Sequence, residues 1–189
     1  MKSCYRCKKA PPRFDIVVPL GQYRNELRET ELRDAVLRMK RRHYDHLSTT
    51  MSRLYTAHRG QQVLDLQPDV VVPVPMHWTR RIRRGTNSAE MLAAEIAQNL
   101  RLEAAPKMLI RSRKTLPQME LQPEQRAQNV RNAFRLAKGY DIHGARVLLV
   151  DDILTTGATC NEVARVLKRA GAQNVIVSVI ARAEGFDRR

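Results

Sequence analysis

The chain is short of the residues and patterns that several protein classes require. Three cysteines in 189 residues, two of them in Cys4-x-x-Cys7, do not make the disulfide framework of a secreted domain. No apolar run approaches the about 20 residues that cross a bilayer. Met1-Lys2-Ser3-Cys4 lacks the apolar centre of a signal peptide, and together these absences predict a cytoplasmic protein. Acidic residues are scarce. Asp+Glu of 19 against Lys+Arg of 34 gives +15 and a sequence pI near 10.6. That balance points to an anionic partner such as phosphates, nucleic acid or a membrane surface, or else to a basic surface kept for solubility. The five histidines show no metal-ligand spacing apart from His43-x-x-His46, and no residue announces itself as a base that activates a nucleophile. The length predicts one domain, with a short appendage, able to bury a core without covalent staples.

Against this sparse background one stretch is dense with chemistry: Val147-Leu148-Leu149-Val150-Asp151-Asp152-Ile153-Leu154-Thr155-Thr156-Gly157-Ala158-Thr159. An apolar, β-branched run reads as a buried strand, and it ends in two carboxylates followed by a Thr/Gly turn that opens a helix. Such a turn aims backbone N–H groups and the hydroxyls of Thr155, Thr156 and Thr159 at a phosphate, aided by the positive end of the helix. Gly157 allows close backbone approach. Asp151 and Asp152, as acceptors, suit the 2′- and 3′-hydroxyls of a ribose, directly or through a divalent metal. The plainer alternative is an ordinary strand-to-helix turn with two exposed acids and a Thr cap.

The remaining pattern places this motif in an α/β domain over residues 13–189, after an appendage over residues 1–12 closed by Pro11-Pro12. Cys4-x-x-Cys7 is half of a zinc knuckle. Structural zinc takes four protein ligands, so a complete site is not expected from this chain alone. Residues 14–23 read as a short strand or hairpin ending at Gly21. Residues 27–42 form an amphipathic helix marked by Leu32, Val36 and Met39, and a second helix carries Leu47, Met51, Leu54 and Tyr55 and stops near Gly60. Val70 to Val72 is a buried strand leading into a Pro73-Val74-Pro75 loop and an arginine-rich segment to Gly85; Asn87 or Ser88 caps a helix through Leu100. Lys107 to Arg111 is a brief strand. Ser112 to Asn132 reads as an excursion that begins as a loop and ends as a helix, after which Ala133 to Leu136 returns to the sheet. A helix over residues 158–170, ended by Gly171, and a strand over residues 175–181 complete the alternation, which implies parallel strands with ligands beyond their carboxyl ends. Cys160, at a helix N-terminus, reads as a small packing residue or a reactive thiol.

The acid pair with its Thr/Gly loop resembles the phosphoribosyl pyrophosphate (PRPP) signature of the type I phosphoribosyltransferases. Further segments resemble the ComF family, bacterial proteins with a phosphoribosyltransferase domain linked to DNA uptake in natural transformation. These are Pro73-Val74-Pro75 with Arg80-Arg81-Ile82-Arg83-Arg84-Gly85-Thr86-Asn87; Arg113-Lys114-Thr115-Leu116-Pro117-Gln118; Leu121, Arg126, Asn129 and Asn132-Ala133-Phe134; and Leu37-x-x-Lys40 with the cysteine pair. The chain departs from that family at Thr86 and Ser88, where an aromatic and a Gln are usual, and in having one Cys-x-x-Cys rather than two; if Met1 is the true start, zinc binding is lost or needs a partner chain.

The resemblance implies a type I phosphoribosyltransferase fold, a mostly parallel twisted sheet flanked by helices. It implies PRPP or a related ribose-5-phosphate ligand, held with Mg²⁺ at Asp151 and Asp152, its 5-phosphate on Thr155, Thr156, Gly157, Ala158 and Thr159. Pyrophosphate would meet the Val74-Pro75-Met76 loop through the backbone N–H groups that loop offers, with Arg81 or Arg84 nearby. The excursion would bring Lys114 or Arg113 over the leaving group, making Asp152 and Lys114 the catalytic candidates. Two functions fit: phosphoribosyl transfer to a nitrogen acceptor, or a DNA-uptake accessory role in which the basic surface meets single-stranded DNA or a partner.

Overall fold

The β-branched run before the acid pair forms the middle of a parallel sheet. The computed structural model describes residues 11–23, 30–40, 44–85 and 87–183. Cys4, Cys7, Arg41, Arg42, His43 and Thr86 lie outside the described residues. Five described strands run in the order β1 (Ile16–Tyr23), β7 (Asn174–Ala183), β6 (Arg146–Leu154), β2 (Val70–Pro73) and β3 (Glu103–Ala104), each neighbouring pair parallel. This is the parallel sheet that the alternating pattern predicts. β6 is paired on both edges and covered on both faces, which is why Val147, Leu148, Leu149 and Val150 are all apolar and at most 1% exposed.

Side chains alternate between faces along a strand. Val147 and Leu149 pack with Val163 and Leu167 of α6 (Ala158–Arg169). Leu148 and Val150 face the opposite way, toward Val36 of α1 (Thr30–Met39), Tyr55 of α2 (Asp45–Asp65) and Leu92 and Ile96 of α4 (Ser88–Leu100). The Tyr55 hydroxyl donates to the Val18 carbonyl at 3.1 Å, tying α2 to the outer strand β1. β1 itself pairs parallel with β7, from Ile16 opposite Ile176 to Tyr23 opposite Ala183, so it is a strand of the sheet and not a hairpin.

Three readings of the sequence need correction. Gly60 does not stop α2, which continues to Asp65; a Cβ at Gly60 would lie 3.0 Å from Leu100 Cδ2, so its missing side chain lets α2 and α4 pack closely. The arginine-rich segment is a short helix, α3 (Trp78–Arg84), where arginine is a good helix former. His77 caps it by accepting from the Thr79 amide, and Gly85 at φ 83° ends it. Finally, β5 (Phe134–Leu136) does not rejoin the main sheet. It pairs antiparallel with β4 (Leu109–Arg111) in a separate two-stranded ribbon. Phe134 carries the Arg111 guanidinium 5.1 Å from its ring centre and packs into the core on the α6 side of the sheet.

That ribbon is the base of the polar excursion, closed where the Ser112 amide donates to the Ala133 carbonyl at 2.9 Å. The excursion begins as a loop, passes through a 3-10 turn (Gln118–Glu120) and ends in helix α5 (Gln125–Val130), the order expected from its composition. Asn129 stitches it internally: its side-chain oxygen accepts from the Leu116 amide at 3.1 Å and its nitrogen donates to the Leu116 carbonyl at 3.0 Å.

Candidate functional site

Both acids lie within β6, which runs on to Leu154, rather than in the turn beyond a strand ending at Val150. Strand alternation sends them to different neighbours. Asp151 meets α6, its Oδ2 receiving the Cys160 thiol at 3.8 Å, while its Oδ1 accepts the Asp152 amide at 2.9 Å. Asp152 meets the other layer. Its Oδ2 accepts from Ser88 Oγ at 2.9 Å, at the start of α4, and lies 3.1 Å from Lys40 Nζ, the residue that follows α1.

The electrostatics follow from this packing. Burial, and after it the Asp152 charge, push the Asp151 carboxyl up from 3.8 to about 7; the Asp152 amide, Lys40 and Arg111 pull the other way without prevailing. Burial and the two carboxylates raise the Cys160 thiol well above its ordinary value. That removes the reactive-thiol alternative and leaves Cys160 as a packing residue that is 1% exposed.

After the acids comes the turn. Gly157, at φ 73°, is the cap of α6 in the left-handed conformation that an L side chain resists, and the first helical bond runs from the Asn161 amide to its carbonyl. Amides of the opening turn of a helix have no intrahelical acceptor, so the loop presents donors at the positive end of α6. The excursion lies over this loop. Arg126 donates to Thr155 Oγ1 at 3.1 Å and Gln118 donates to Thr159 Oγ1 at 3.2 Å, placing an arginine and an amide where an anion on the loop would be.

Beside it, the proline loop leaves the carboxyl end of β2. The Val74 amide donates to the Val150 carbonyl at 2.8 Å, and Pro75 has no N–H, so of the three loop residues only Met76 keeps an amide for a ligand. This narrows the expected pyrophosphate contact. Asn87 Nδ2 donates to the Val74 carbonyl at 3.3 Å and holds the loop against α4.

The structure therefore sets the proline loop, through Val74, beside the strand that carries Asp151 and Asp152 and leads into the Thr155–Thr159 loop. The arginines divide differently. Arg81 is turned to Glu90 at 2.9 Å on an exposed surface, and the side chain of Arg84 lies outside the described set. Arg113 donates to the carbonyls of Asn129 and Arg131, both at 2.8 Å, and so braces the excursion; Lys114 is exposed on it. Four residues at the site were given no ligand-side role from sequence: Lys40, Ser88, Gln118 and Arg126. Lys40 and Arg126 stood in recognisable motifs, yet only the fold shows that each reaches β6 or its loop. Among the described residues no group of three or more His, Cys, Asp or Glu assembles into a metal cage, and no helix is long and apolar enough to cross a membrane.

Comparison with known proteins agrees with this geometry. A family model described as "Phosphoribosyl transferase domain" matches residues 52–185. The chain is 33% identical over 186 residues to Competence protein F of Haemophilus influenzae, spanning 96% of this chain and 79% of that protein. It is 30% identical over 182 residues to the DNA utilization protein YhgH of Escherichia coli K12, spanning 95% and 77%. Among solved structures, one of an adenine phosphoribosyltransferase aligns with a TM-score of 0.48 at 16% identity, over 72% of this chain and 70% of that one. With a parallel sheet, an acid pair on its central strand and a Thr/Gly loop opening α6, the chain belongs to the phosphoribosyl transferase domain family and, within it, to the ComF family.

Proposed function

We propose that the chain binds PRPP, or a related ribose-5-phosphate ligand, at the carboxyl ends of β2 and β6, and transfers the phosphoribosyl group to a nitrogen acceptor. The observation that carries this is the left-handed Gly157 at the head of α6, three residues after the end of β6, the strand that carries both carboxylates near its carboxyl end. Thr155, Thr156, Gly157, Ala158 and Thr159 would hold the 5-phosphate, with Arg126 and Gln118 already directed onto the loop. Each charge-assisted hydrogen bond there contributes about 1.5–3 kcal/mol.

Asp151 and Asp152 supply hard oxygen donors at the ribose end, a donor set that suits a cation completed by ligand oxygens and water. Mg²⁺ held by these carboxylates would supply positive charge against the pyrophosphate. The Met76 amide would receive pyrophosphate, and Lys114, carried on the excursion, would meet charge developing on the leaving oxygen as the C1–O bond breaks and the C1–N bond forms. The proton of the nitrogen acceptor leaves to water.

Calorimetric titration with PRPP and Mg²⁺ tests the binding. Saturable binding for which ribose 5-phosphate competes is expected; absence of binding by both ligands contradicts the reading. Pyrophosphate release on adding amine or nucleobase acceptors then separates transfer from binding alone.

A second reading, a DNA-uptake accessory protein that meets single-stranded DNA, is favoured by one surface. Trp78 is 63% exposed and Ile82 70% exposed on α3, whose sequence is rich in arginine, and an exposed indole is a surface on which bases stack. The names of the similar proteins, a competence protein and a DNA utilization protein, point the same way. Affinity for single-stranded DNA should fall steeply with salt and weaken in Trp78→Ala; a salt-independent affinity contradicts it.

A further inference from the structure

The acid pair is not left to wait for a metal. Lys40 Nζ lies 3.1 Å from Asp152 Oδ2, and the two side chains are 18% and 10% exposed, so this ion pair is largely screened from solvent by protein. The same oxygen accepts from Ser88 Oγ at 2.9 Å. One carboxylate oxygen therefore receives a hydroxyl and an ammonium from two different helical segments. Lys40 does not arrive there by chance of a long surface side chain. It follows directly on Met39, which is 1% exposed, and Val36, one turn earlier, is fully buried among Val18, Tyr55 and Ile180. The backbone of Lys40 is thus fixed by the core, and only its flexible four-carbon stem is free to swing. A second cation, Arg111 at the end of β4, acts on Asp151 from the other face.

A divalent ion at Asp152 would have to share a carboxylate with an ammonium within hydrogen-bond distance, and like charges so close in a partly desolvated site repel strongly. We propose that Lys40 is the resident counter-cation of the Asp151/Asp152 pair and competes with a divalent metal for Asp152, so that metal enters only as the Lys40 ammonium swings away. This rests on the reading of the two acids as metal ligands. It goes beyond that reading by making α1 part of the site: the metal-free pair is held by Lys40, and the metal-bound pair releases it. The ligand-free protein is then a poor binder of divalent ions by construction, and its acids become strong ligands only after the ammonium has moved.

The test uses Mn²⁺ alone, with no PRPP, and follows free Mn²⁺ by electron paramagnetic resonance over the full chain. Lys40→Met should bind Mn²⁺ about tenfold or more tightly than wild type, because the repelling charge is gone. Lys40→Arg, which keeps the charge, should stay near wild type, and Asp152→Asn in the Lys40→Met background should remove the gain. Equal affinity of wild type and Lys40→Met, or weaker binding by Lys40→Met, overturns the proposal. A mutation-free measurement guards against misfolding of the variant: labelling of Lys40 by an amine-reactive reagent, read by mass spectrometry, should rise several-fold at saturating Mn²⁺, and unchanged labelling at saturation also overturns it. Because PRPP is absent, failure of ligand binding would leave these results readable.

Discussion

Arg126 donates to Thr155 Oγ1 at 3.1 Å, joining helix α5 of the excursion to the turn that follows the acid pair. The guanidinium is also anchored, its Nε donating to the Leu121 carbonyl at 3.2 Å, so it is held in place beside the loop. Removing it takes a fixed cation from the proposed 5-phosphate position. Arg126→Ala should weaken ribose 5-phosphate binding by about tenfold or more, on the scale of one charge-assisted hydrogen bond. Calorimetry with ribose 5-phosphate checks this, and an unchanged affinity would reduce Arg126 to a structural latch.

Asn129 controls whether the excursion keeps its shape. Its two hydrogen bonds to Leu116 close the loop on α5, and Asn129→Ala removes both. The sheet does not depend on them. Hydrogen exchange over residues 112–132 should accelerate while β6 and β7 keep their protection. Equal protection of the excursion in the variant and wild type would show that Arg113 and the β4–β5 ribbon suffice.

At Gly157 the φ of 73° sets the cost of any side chain. A β-branched residue there is strained by about 1–2 kcal/mol and narrows the approach of a phosphate to the loop. Gly157→Val should lose ribose 5-phosphate binding altogether with a modest fall in thermal midpoint. Retained binding would mean that the phosphate sits elsewhere.

Asp151 makes stability depend on pH in a stated direction. Its carboxyl titrates near 3.8 in the unfolded chain and at about 7 in the folded one, so between those values the folded state holds a proton that the unfolded chain has released. Stability from this group is therefore full below the unfolded value and is lost as pH rises through the folded value. With chelator present, wild type should lose more thermal stability than Asp151→Asn between about pH 5.5 and about pH 7.5. Parallel losses would place the Asp151 carboxyl at an ordinary value.

Much of this was legible in the sequence because it is local. The strand Val147 to Val150, the helix opened at Ala158 and the acid pair between them are written in one continuous stretch, and apolar runs bounded by Gly and Asp carry their own boundaries. The helix from Ser88 to Leu100 was equally plain from its apolar stripe. What escaped was long-range. Gly60 looks like a stop signal, and only the approach of Leu100 shows that it is a packing notch. Phe134 to Leu136 reads as any short strand, and its partner is decided by the ribbon it closes with Leu109 to Arg111. Lys40 lies more than a hundred residues from Asp152 in the chain, and no local pattern announces their ion pair. The amide of Val74 looked available until the β2–β6 pairing claimed it for Val150.

We propose above all that Asp151 and Asp152, with the loop that follows them, form a ribose-phosphate site. Its most direct test is the PRPP affinity of Asp151→Asn/Asp152→Asn beside wild type, in Mg²⁺, by calorimetry on protein whose fold is verified by circular dichroism. Near-complete loss of binding is expected in the double variant. Unchanged affinity would contradict it and make the acid pair a structural feature of β6.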